Sequence, residues 1–484
     1  MPQKVLFIIK DIESAEPLGI MYISALLKKN GHLTYFSGTG GVDLTEIIEK
    51  IKPDIIGYGI CTGFQNYYLD LNRHLKQQFS FISIFGGPHP TFFPEFIEED
   101  SVDIICRGEG EFPMLDLCNY LDEEKDIRFI KNLWVKQNGK LYKNDLRPLI
   151  TDLDELPWPD REGSYDLDRS FREYGARSFL STRGCPFECS YCFNASYIDL
   201  YGDSWKKCRV RSPSDLVNEI LHVKMTTPLK FVQFRCSTFP WKIEWLKEFS
   251  DLYKKKIGLP FYCHVRADLL NEENVKLMAD AGCYSVNMGF ECGDENYRKT
   301  VFNRHITNEQ IEKTCEILHR NGIRILSDNM VCLPGGNLDL DIKTWRLNVK
   351  CKVEYPLAMI LQPYPRTGID KYCRENGFFN GNYDEIYYNY YFYSPLNFKD
   401  KQEKRKMENF HKLFAFTAEF PPALRIVRYF CRFRLNLFFI TIFRFWYSWC
   451  YHYRIMPFKK TSKDRRETIE ALLGIYKTDR YEKN

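Results

Sequence analysis

The stretch Ser178–Asn194 reads SFLSTRGCPFECSYCFN and places Cys185, Cys189 and Cys192 within eight residues. Iron–sulfur clusters are held by cysteine thiolates, so a CxxxCxxC triplet can bind three irons of a four-iron cluster. A complete protein cage would need a fourth cysteine, which this stretch does not supply. The motif therefore predicts a [4Fe-4S] cluster with one iron left free for a ligand that is not protein.

Two other interpretations of the triplet are ordinary buried cysteines and a structural zinc site. Structural zinc usually takes four ligands, with paired C-x(2–4)-C or H-x(3–5)-H spacing. Neither a second CxxC pair nor such a histidine pair follows the triplet. The spacing therefore favours the cluster.

The bulk composition is that of an ordinary globular protein. The 484 residues are 44% hydrophobic and 27% charged, which is enough for two or three domains. A net charge of +4 gives no reason to expect a nucleic-acid partner. The 17 cysteines are scattered, and Met1–Lys10 lacks the pattern of a secretory signal. We therefore expect free thiols and a cytoplasmic location, which suits an oxygen-sensitive cluster.

The first third of the chain alternates between short apolar runs and helical patterns. Strands are predicted at residues 4–9, 55–60, 81–85 and 102–106, and helices at 17–30 and 64–79. This alternation predicts a doubly wound parallel sheet, which binds ligands outside the carboxyl ends of its strands. Gly86 and Gly87 follow one predicted strand, and Gly108 and Glu109 follow the next. Tight strand-to-helix turns are the other interpretation of these glycines.

The middle of the chain predicts a boundary and then a second α/β unit. A hairpin is expected around Asn138-Gly139, and the proline-rich acidic segment 152–162 follows it. Beyond the cysteine loop, strands are predicted at 231–234, 261–265, 285–290, 323–331 and 358–361. About six strand–helix units suggest a partial (β/α)6 barrel, with its chemistry at the carboxyl ends of the strands. The cysteine loop, Arg266 and Glu291 fall at those ends.

The cysteine loop resembles that of the radical S-adenosylmethionine (radical SAM) superfamily, in which an aromatic residue such as Tyr191 precedes the last cysteine. The resemblance implies that the free iron chelates the amino and carboxylate groups of S-adenosylmethionine (SAM). An electron donor reduces the cluster, and SAM is cleaved to a 5′-deoxyadenosyl radical. The segment NMGFECG at 287–293 is similar to the family's GxESG strand end. Glu291 is thereby implied to bind the ribose hydroxyls of SAM.

Arg266 matches a strand-end arginine that would pair with the methionine carboxylate of SAM. A structural salt bridge is the other interpretation of this residue. Three positions depart from the family pattern. Cys236 and Ser237 stand where relatives carry an acidic pair, and Gly336 replaces a later acidic residue. Either other atoms hold the amino group of SAM or the chemistry differs, and we interpret Cys236 as a small buried cysteine rather than a functional thiol.

Three N-terminal segments are similar to the cobalamin-binding domain of class B radical SAM enzymes, namely residues 16–32, 86–91 and 107–111. By that resemblance, the corrin and its nucleotide tail contact Leu18, Gly19, Thr62, Gly86, Gly87, Gly108 and Glu109. The chain has no Asp-x-His-x-x-Gly motif. No histidine is therefore predicted to ligate cobalt, and His89 is interpreted as structural.

The C-terminal region contains an aromatic, basic stretch. Residues 421–463 hold nine Lys and Arg and no Asp or Glu. The uncharged runs 435–443 and 445–453 are far shorter than the roughly 20 residues of a membrane span. One interpretation is a basic helix in a membrane interface, with Arg425, Arg428 and Arg432 on one face. The other is a helical subdomain that covers the substrate pocket.

Taken together, the sequence predicts a cobalamin-binding-like domain at 1–145, a linker at 146–170, a radical SAM barrel at 171–370 and a mostly helical region at 371–484. The resemblance implies a cobalamin-dependent radical SAM methyltransferase that acts on an unactivated carbon or phosphorus. Its cofactors would be a [4Fe-4S] cluster, SAM and cobalamin, and its substrate a small or lipid-like molecule. Two alternatives stay open: a radical SAM cyclase or oxidoreductase without methyl transfer, and a non-catalytic cobalamin- or cluster-binding regulator.

Overall fold

The computed structural model describes residues 1–10, 16–40, 42–167, 172, 174–383, 386, 392–434 and 436–456. The chain forms two compact units, Met1–Glu173 and Tyr174–Asn484. We call them unit 1 and unit 2 and describe each by itself. The limits of the four segments that we derived from the sequence stay a prediction.

Unit 1 is built on a seven-stranded sheet in the order β2-β1-β3-β4-β5-β6-β7. The strands β1 to β7 are Lys4–Ile9, Leu33–Gly38, Ile55–Gly59, Ile82–Gly86, Ile104–Cys106, Leu133–Gln137 and Lys140–Lys143. The first five pair in parallel, and β6 and β7 extend the sheet as an antiparallel hairpin. The predicted hairpin around Asn138-Gly139 therefore forms.

Helices cover both faces of this sheet. The helices α1 to α6 are Leu18–Lys29, Leu44–Ile51, Gln65–Lys76, Pro88–Phe92, Glu111–Asp122 and Arg161–Leu167. Helices α1 and α5 pack on one face, where Leu27 and Leu117 join Val5 in the core. Helices α2 and α3 pack on the other face, where Ile48 and Leu75 are buried. The predicted doubly wound sheet is confirmed, although the sequence reasoning did not identify β2 or α2.

The acidic segment after the hairpin is fastened to unit 1. The backbone N–H of Ile150 donates to Glu109 Oε2 at 2.9 Å, and the N–H of Asp160 donates to the carbonyl of Met21 at 3.0 Å. Arg161 forms a buried ion pair with Glu16 at 2.8 Å. Because a buried ion pair is costly to break, residues 150–161 are held in place rather than free to swing.

Unit 2 is built on six parallel strands in the order β8-β11-β12-β13-β14-β15. These strands are Ala176–Phe179, Phe231–Phe234, Phe261–Val265, Cys283–Glu291, Arg324–Val331 and Tyr355–Ile360. A short ribbon of β9, Thr182–Arg183, and β10, Arg209–Val210, lies between the first two in sequence. The order follows the chain, as in a (β/α) barrel, so the predicted partial barrel is confirmed.

The helices of unit 2 alternate with its strands. The helices α7 to α15 are Phe193–Tyr201, Asp203–Lys206, Pro213–Thr226, Ile243–Lys256, Glu272–Ala281, Glu295–Thr300, Asn308–Arg320, Leu338–Lys350 and Gly368–Glu375. Ser212 is the N-cap of α9, because its Oγ accepts from the N–H of Asp215 at 3.2 Å. Val232, Cys263 and Val286 pack outward against the helices in one core.

The inner face of the barrel is partly filled by the C-terminal segment. Three further helices, α16 to α18, are Lys401–Glu419, Leu424–Phe430 and Asn436–Cys450, and a π-helical turn spans Tyr451–Ile455. Phe231, Leu326 and Tyr355 from the strands pack with Cys450 and Ile455. Ser285 Oγ donates to the carbonyl of Ile455 at 2.6 Å, which fixes the turn against the inner end of β13.

One prediction about the C-terminal region is wrong. The sequence placed Arg425, Arg428 and Arg432 on one continuous helix, but α17 ends at Phe430 and residues 431–433 form a turn before α18. Arg432 therefore does not continue the face of α17. Residues 435 and 457–463 of the aromatic, basic stretch lie outside the described residues. Within the described part of the chain, no helix combines the length and the apolarity that crossing a membrane requires.

Candidate functional site

The three cysteines lie on the loop between β9 and α7, at the carboxyl end of the barrel strands. Cys185 and Cys189 are buried, Cys192 is partly accessible, and Cys192 is the residue that precedes α7. Ser190 ties the loop across the barrel end: its N–H donates to Phe302 O at 3.0 Å, and its carbonyl accepts from Ile369 N at 2.8 Å. The loop is thus held by segments that follow β13 and β15.

The arrangement fits a four-iron cluster. Across the described residues, no group of three His, Cys, Asp or Glu side chains has the arrangement to hold a metal ion. A four-iron cluster bonds each cysteine to a different iron, so its ligands need not converge on one point. Burial raises the pKa of the Cys185 thiol and raises that of Cys192 to about 11. Cluster binding must therefore displace these thiol protons.

Gly184 decides the conformation of the chain as it enters the loop. Its φ is +89°, and a Cβ at this position would lie 2.6 Å from the carbonyl oxygen of Trp205. Any other residue therefore meets both backbone strain and a steric clash.

We expect Gly184→Ala to lose about 3 kcal/mol or more of the free energy of unfolding, since overpacking and left-handed strain add. Cluster content after anaerobic reconstitution should fall with it. The matched control is Gly202→Ala, where φ is +60° but a Cβ meets nothing within 4 Å. Equal unfolding midpoints and equal iron content in the two variants would contradict this role of Gly184.

Glu291 lies at the end of β13 and faces the cysteine loop. The strand register shifts between Gly289 and Glu291, and Glu291 has φ +65°. Its carboxylate folds back over Gly289, where a Cβ would lie 2.2 Å from Glu291 Oε1. The side chain is therefore held in a single position by a bulge and a missing Cβ.

A tyrosine and an arginine surround this carboxylate. Burial raises the pKa of Glu291, while Arg304 and a hydrogen bond from Tyr191 oppose that effect. Arg304 Nη2 donates to Gly289 O at 2.7 Å, and its Nη1 lies 3.4 Å from Tyr191 Oη and 3.9 Å from Cys189 Sγ. Arg304 thus connects the cysteine loop to Glu291. The sequence reasoning missed it, because Arg304 lies in a loop of no recognisable motif.

Arg266 also touches the cysteine loop. Its Nη1 lies 3.6 Å from Cys189 Sγ, and its guanidinium stacks on Phe187 at 3.4 Å from the ring centroid. Its Nε and Nη2 donate to the two carboxylate oxygens of Asp268, both at 2.9 Å. The salt-bridge interpretation of Arg266 therefore describes this conformation, and the predicted contact with the carboxylate of SAM stays a prediction.

Asp328 is a second ionisable carboxyl group near Glu291, on a strand of the barrel. It lies on β14, next to Gly289 in register. Burial and the nearby Glu291 raise its pKa to about 7, against a hydrogen bond from Asn287 and the charge of Arg304. Asp328 and Glu291 are two neighbouring carboxyl groups, so ionisation of one disfavours ionisation of the other.

The raised pKa gives a pH dependence with a definite sign. The folded protein holds the Asp328 proton up to about pH 7, whereas the unfolded chain loses it near the ordinary pKa of 3.8. The contribution of Asp328 to the free energy of unfolding is therefore fully present below about pH 4 and is lost as the pH rises to 7. At pH 8 we expect the free energy of unfolding of cofactor-free Asp328→Asn to exceed that of the wild type by about 3 kcal/mol. At pH 4.5 we expect the difference to be much smaller. Denaturant unfolding at both pH values measures this, and an equal difference at both would contradict it.

The positions that depart from the family pattern have structural reasons. Cys236 is buried, its pKa is raised to about 11 by that burial, and its Sγ accepts from Ser181 Oγ at 3.2 Å. It is thus a neutral buried thiol. Ser237 is exposed and contacts Asn194 Nδ2 at 3.2 Å, beside Cys192. At Gly336 a Cβ would lie 2.9 Å from Leu340 and 3.0 Å from Leu333 O, so a larger residue would not fit this turn.

In unit 1, the residues predicted to contact cobalamin lie along the carboxyl edge of the parallel strands. Gly86 ends β4 and Gly87 follows it, Gly108 and Glu109 follow β5, Thr62 follows β3, and Leu18 and Gly19 begin α1. The chain order reverses between β1 and β3, which is where sheets of this topology bind their ligands.

Backbone rather than side chains forms much of this edge. A Cβ at Gly19 would meet nothing within 4 Å, and Gly87, with φ +96°, packs directly on the backbone of Ile60. At Gly19 a bulky planar ligand can therefore approach the main chain closely, which suits a corrinoid. Two residues also hold the protein itself together: Glu109 accepts from Ile150 N, and Thr62 contacts His89.

His89 has the surroundings of a structural residue. Its Nδ1 lies 3.2 Å from Thr62 Oγ1, and its ring stacks on Phe93 at 4.9 Å. Burial lowers its pKa to about 4, so the imidazole is neutral. The contacts support the interpretation of His89 as a loop-stabilising residue.

Comparison with known proteins matches one family model to each unit. The model of the B12 binding domain matches residues 10–117, and that of the Radical SAM superfamily matches residues 179–342. An uncharacterized methyltransferase of Pyrococcus horikoshii is 25% identical over 397 residues, covering 77% of this chain and 83% of its own. The anaerobic magnesium-protoporphyrin IX monomethyl ester cyclase of Rubrivivax gelatinosus is 27% identical, covering 63% of this chain and 57% of its own.

Solved structures share the fold. The radical SAM methyltransferase TsrM of Kitasatospora setae, with tryptophan and a SAM analogue bound, superposes with a TM-score of 0.63 at 15% identity. That likeness covers 77% of this chain and 76% of TsrM. The cobalamin-dependent radical SAM enzyme OxsB gives a TM-score of 0.60 at 19% identity, covering 77% of this chain and 55% of OxsB.

A cysteine loop at the carboxyl end of a partial barrel, together with a doubly wound sheet matching the B12 binding domain, defines a class of corrinoid-binding radical enzymes. The chain belongs to the cobalamin-binding radical SAM family. Its cofactors are accordingly a [4Fe-4S] cluster, SAM and cobalamin. Which of its residues contact each cofactor stays a prediction, supported by the geometry above.

Proposed function

We propose that the protein is a cobalamin-dependent radical SAM methyltransferase that acts on an unactivated carbon or phosphorus of a small molecule. The observation that carries the proposal is the presence, in one chain, of a B12-binding sheet and a radical SAM barrel with its cysteine triplet. Relatives that match over both parts are named as methyltransferases, including the Pyrococcus protein and the cytidylyl-2-hydroxyethylphosphonate methyltransferase of Streptomyces wedmorensis.

The bound cofactors would supply the transferable methyl group and the radical that removes a substrate hydrogen. The protein's part is to bind and orient. Cys185, Cys189 and Cys192 hold the cluster, and Glu291 accepts hydrogen bonds from the ribose of SAM. Tyr191 and Arg304 keep that carboxylate in place. The carboxyl edge of unit 1 holds the corrinoid through backbone contacts.

The proposal is tested without knowledge of the substrate. Anaerobically reconstituted protein with reduced corrinoid is incubated with SAM labelled in its methyl group. We expect label to move to the protein-bound corrinoid, and 5′-deoxyadenosine to form when a reductant is added. Without methyl transfer to the corrinoid, the methyltransferase assignment is wrong.

The relatives that are named as cyclases support a second candidate function, which is radical cyclisation or oxidation without methyl transfer. The same experiment separates the two, because such an enzyme forms 5′-deoxyadenosine and moves no label. A regulator without catalysis would give neither product.

We also propose that the C-terminal helices dock on an anionic membrane surface. Six large apolar side chains of α17 and α18 are exposed: Ile426 at 61%, Tyr429 at 56%, Phe430 at 44%, Phe438 at 62%, Phe445 at 68% and Trp449 at 37%. Phe438, Phe445 and Trp449 share one face of α18 by their helical spacing. The exposed Arg425, Arg432 and Arg434 lie near them in sequence, in a stretch without Asp or Glu. Apolar side chains beside cations suit an anionic lipid interface.

We expect the triple variant Phe438→Ser, Phe445→Ser, Trp449→Ser to lose at least about tenfold in affinity for phosphatidylglycerol vesicles. Each buried aromatic contributes about 1.5–3 kcal/mol. Cosedimentation measures the loss, and Phe129→Ser is the control, since Phe129 is 68% exposed in unit 1. Wild-type protein that stays in the supernatant with these vesicles would contradict membrane docking.

A further inference from the structure

The inner face of the barrel carries polar residues above the C-terminal segment. Side chains alternate between the two faces of a strand, so residues with the parity of Phe231, Tyr262 and Leu326 point inward. This rule places five further polar residues on the inner face: Gln233, Arg235, His264, Asn287 and Asp328. Strand register puts His264 beside Asn287, and Asp328 one strand further on.

These residues line an open space. His264 and Asp328 are deep in the protein, yet both side chains keep part of their accessible surface. Asp328 raises the pKa of Tyr262 and Arg235 lowers it, so both charged groups lie near the same ring. A side chain that is enclosed by protein and still accessible lines a cavity, which we call the barrel chamber.

The C-terminal segment closes the chamber from below. Tyr451, the first residue of the π-helical turn, hydrogen-bonds to Arg235. The turn itself is fixed by the bond from Ser285 to Ile455 O and by Arg324 Nη1 donating to Arg454 O at 3.1 Å. π-Helical turns are found frequently at functional sites. The C-terminal segment thus contributes one wall of the chamber.

The charged groups of the chamber lack charged partners. Among the described residues, no carboxylate is ion-paired with Arg235, whose Nε has no hydrogen-bond partner and whose Nη2 donates to Gln233 Oε1 at 2.5 Å. No ion pair reaches Asp328, and no hydrogen bond is found for either ring nitrogen of His264 within the described residues. Burial and the charge of Arg235 lower the pKa of His264 to about 3, so the imidazole is neutral.

Enclosing charged groups inside a protein without charged partners is costly, so an enclosed set of them calls for an explanation. A ligand that supplies the partners removes the cost. Arg235 suits an anionic group, for which a guanidinium offers several donors. Asp328 accepts from an ammonium or hydroxyl donor. Tyr262 and Tyr451 offer aromatic surface beside Arg235.

We propose that the barrel chamber binds the substrate through a zwitterionic head group, its anionic group on Arg235 and its donor group on Asp328. This inference rests on the proposed function, because it assumes that a small molecule is transformed at the cluster end of the barrel. It assigns to the C-terminal segment a second role, independent of membrane contact.

The test is equilibrium binding to the full-length holoenzyme with SAM present, using three matched probes: L-phenylalanine, 3-phenylpropionate and phenethylamine. We expect phenylalanine to bind at least tenfold more tightly than either probe that lacks one charge. Arg235→Met should weaken binding of phenylalanine and phenylpropionate by about 10–100-fold and leave phenethylamine unchanged, since hydrogen bonds to charged groups are worth that much. Asp328→Asn should show the reverse pattern.

Two further variants keep the test decisive. Tyr451→Phe removes only a hydroxyl and should weaken binding of the carboxylate probes by a few-fold. Arg346→Met, an exposed arginine on α14, should change nothing. No binding of phenylalanine to the wild type, or equal losses for all three probes in Arg235→Met, would overturn the chamber assignment. Neither result bears on methyl transfer to the corrinoid, so failure of the proposed function is recognised separately.

Discussion

Replacing Cys189 by alanine is expected to remove the cluster from anaerobically reconstituted protein, and with it the formation of 5′-deoxyadenosine. With one of three thiolates gone, a second iron loses its protein ligand. Cys189 is also the cysteine that two guanidinium groups approach, with Arg266 Nη1 at 3.6 Å and Arg304 Nη1 at 3.9 Å from its sulfur. The loss of this thiolate therefore removes one anionic neighbour from two buried guanidinium groups, which adds to the effect.

Iron and sulfide content, together with 5′-deoxyadenosine after reduction in the presence of SAM, measure this loss. Cys236→Ala is the matched control, because Cys236 is buried to a similar degree and bonds to Ser181 and Thr182 rather than to the groups around Cys189. It should keep its cluster and its SAM cleavage. A cluster retained in Cys189→Ala and lost in Cys236→Ala would reverse the assignment of the two thiols.

Glu291→Gln is expected to weaken SAM binding by about 10–100-fold while leaving iron content unchanged. Hydrogen bonds to a charged acceptor are worth about 1.5–3 kcal/mol, and the amide lacks that charge. The cluster ligands are not altered, so the cluster should assemble as in the wild type. Equilibrium dialysis of the reconstituted protein against labelled SAM gives the dissociation constant.

Two comparisons sharpen the test of Glu291. Tyr191→Phe removes a hydrogen-bond donor to the carboxylate and keeps the charge, so it should weaken binding less than Glu291→Gln does. Glu248→Gln makes the same charge change at an exposed position of α10 and should have no effect. Unchanged SAM affinity in Glu291→Gln would show that this carboxylate does not hold the ribose.

The sequence was sufficient to predict those features of the fold and the site that depend on residues close together in the chain. The cysteine triplet, Gly184 before it and the strand end at Glu291 are short local patterns, and the alternation of strands and helices predicted both α/β units. The N-cap at Ser212 and the hairpin at Asn138-Gly139 are equally local. Each rests on neighbours within a few residues, which a single sequence does show.

The residues that the sequence reasoning missed are brought together by register and packing. Arg304 reaches Cys189 and Tyr191 from 115 and 113 residues away, from a loop without a motif. Arg235, His264 and Asp328 meet only because their strands place them on the inner face at neighbouring heights. Their alternation with apolar residues can be seen in the sequence. However, the two-residue repeat of a strand does not show which of its faces lines the inside of the barrel. The break after Phe430 was missed because its aromatic residues suit a helix and a turn alike.

The most direct test of the central claim, that one chain holds a [4Fe-4S] cluster and a corrinoid, is cofactor analysis after anaerobic reconstitution. The full-length protein is loaded with iron, sulfide and hydroxocobalamin, and separated from unbound material. We predict about four irons and four sulfides per chain, with one corrinoid retained, and loss of the cluster alone in Cys189→Ala. Retention of neither iron nor corrinoid by the folded wild-type protein would contradict the account.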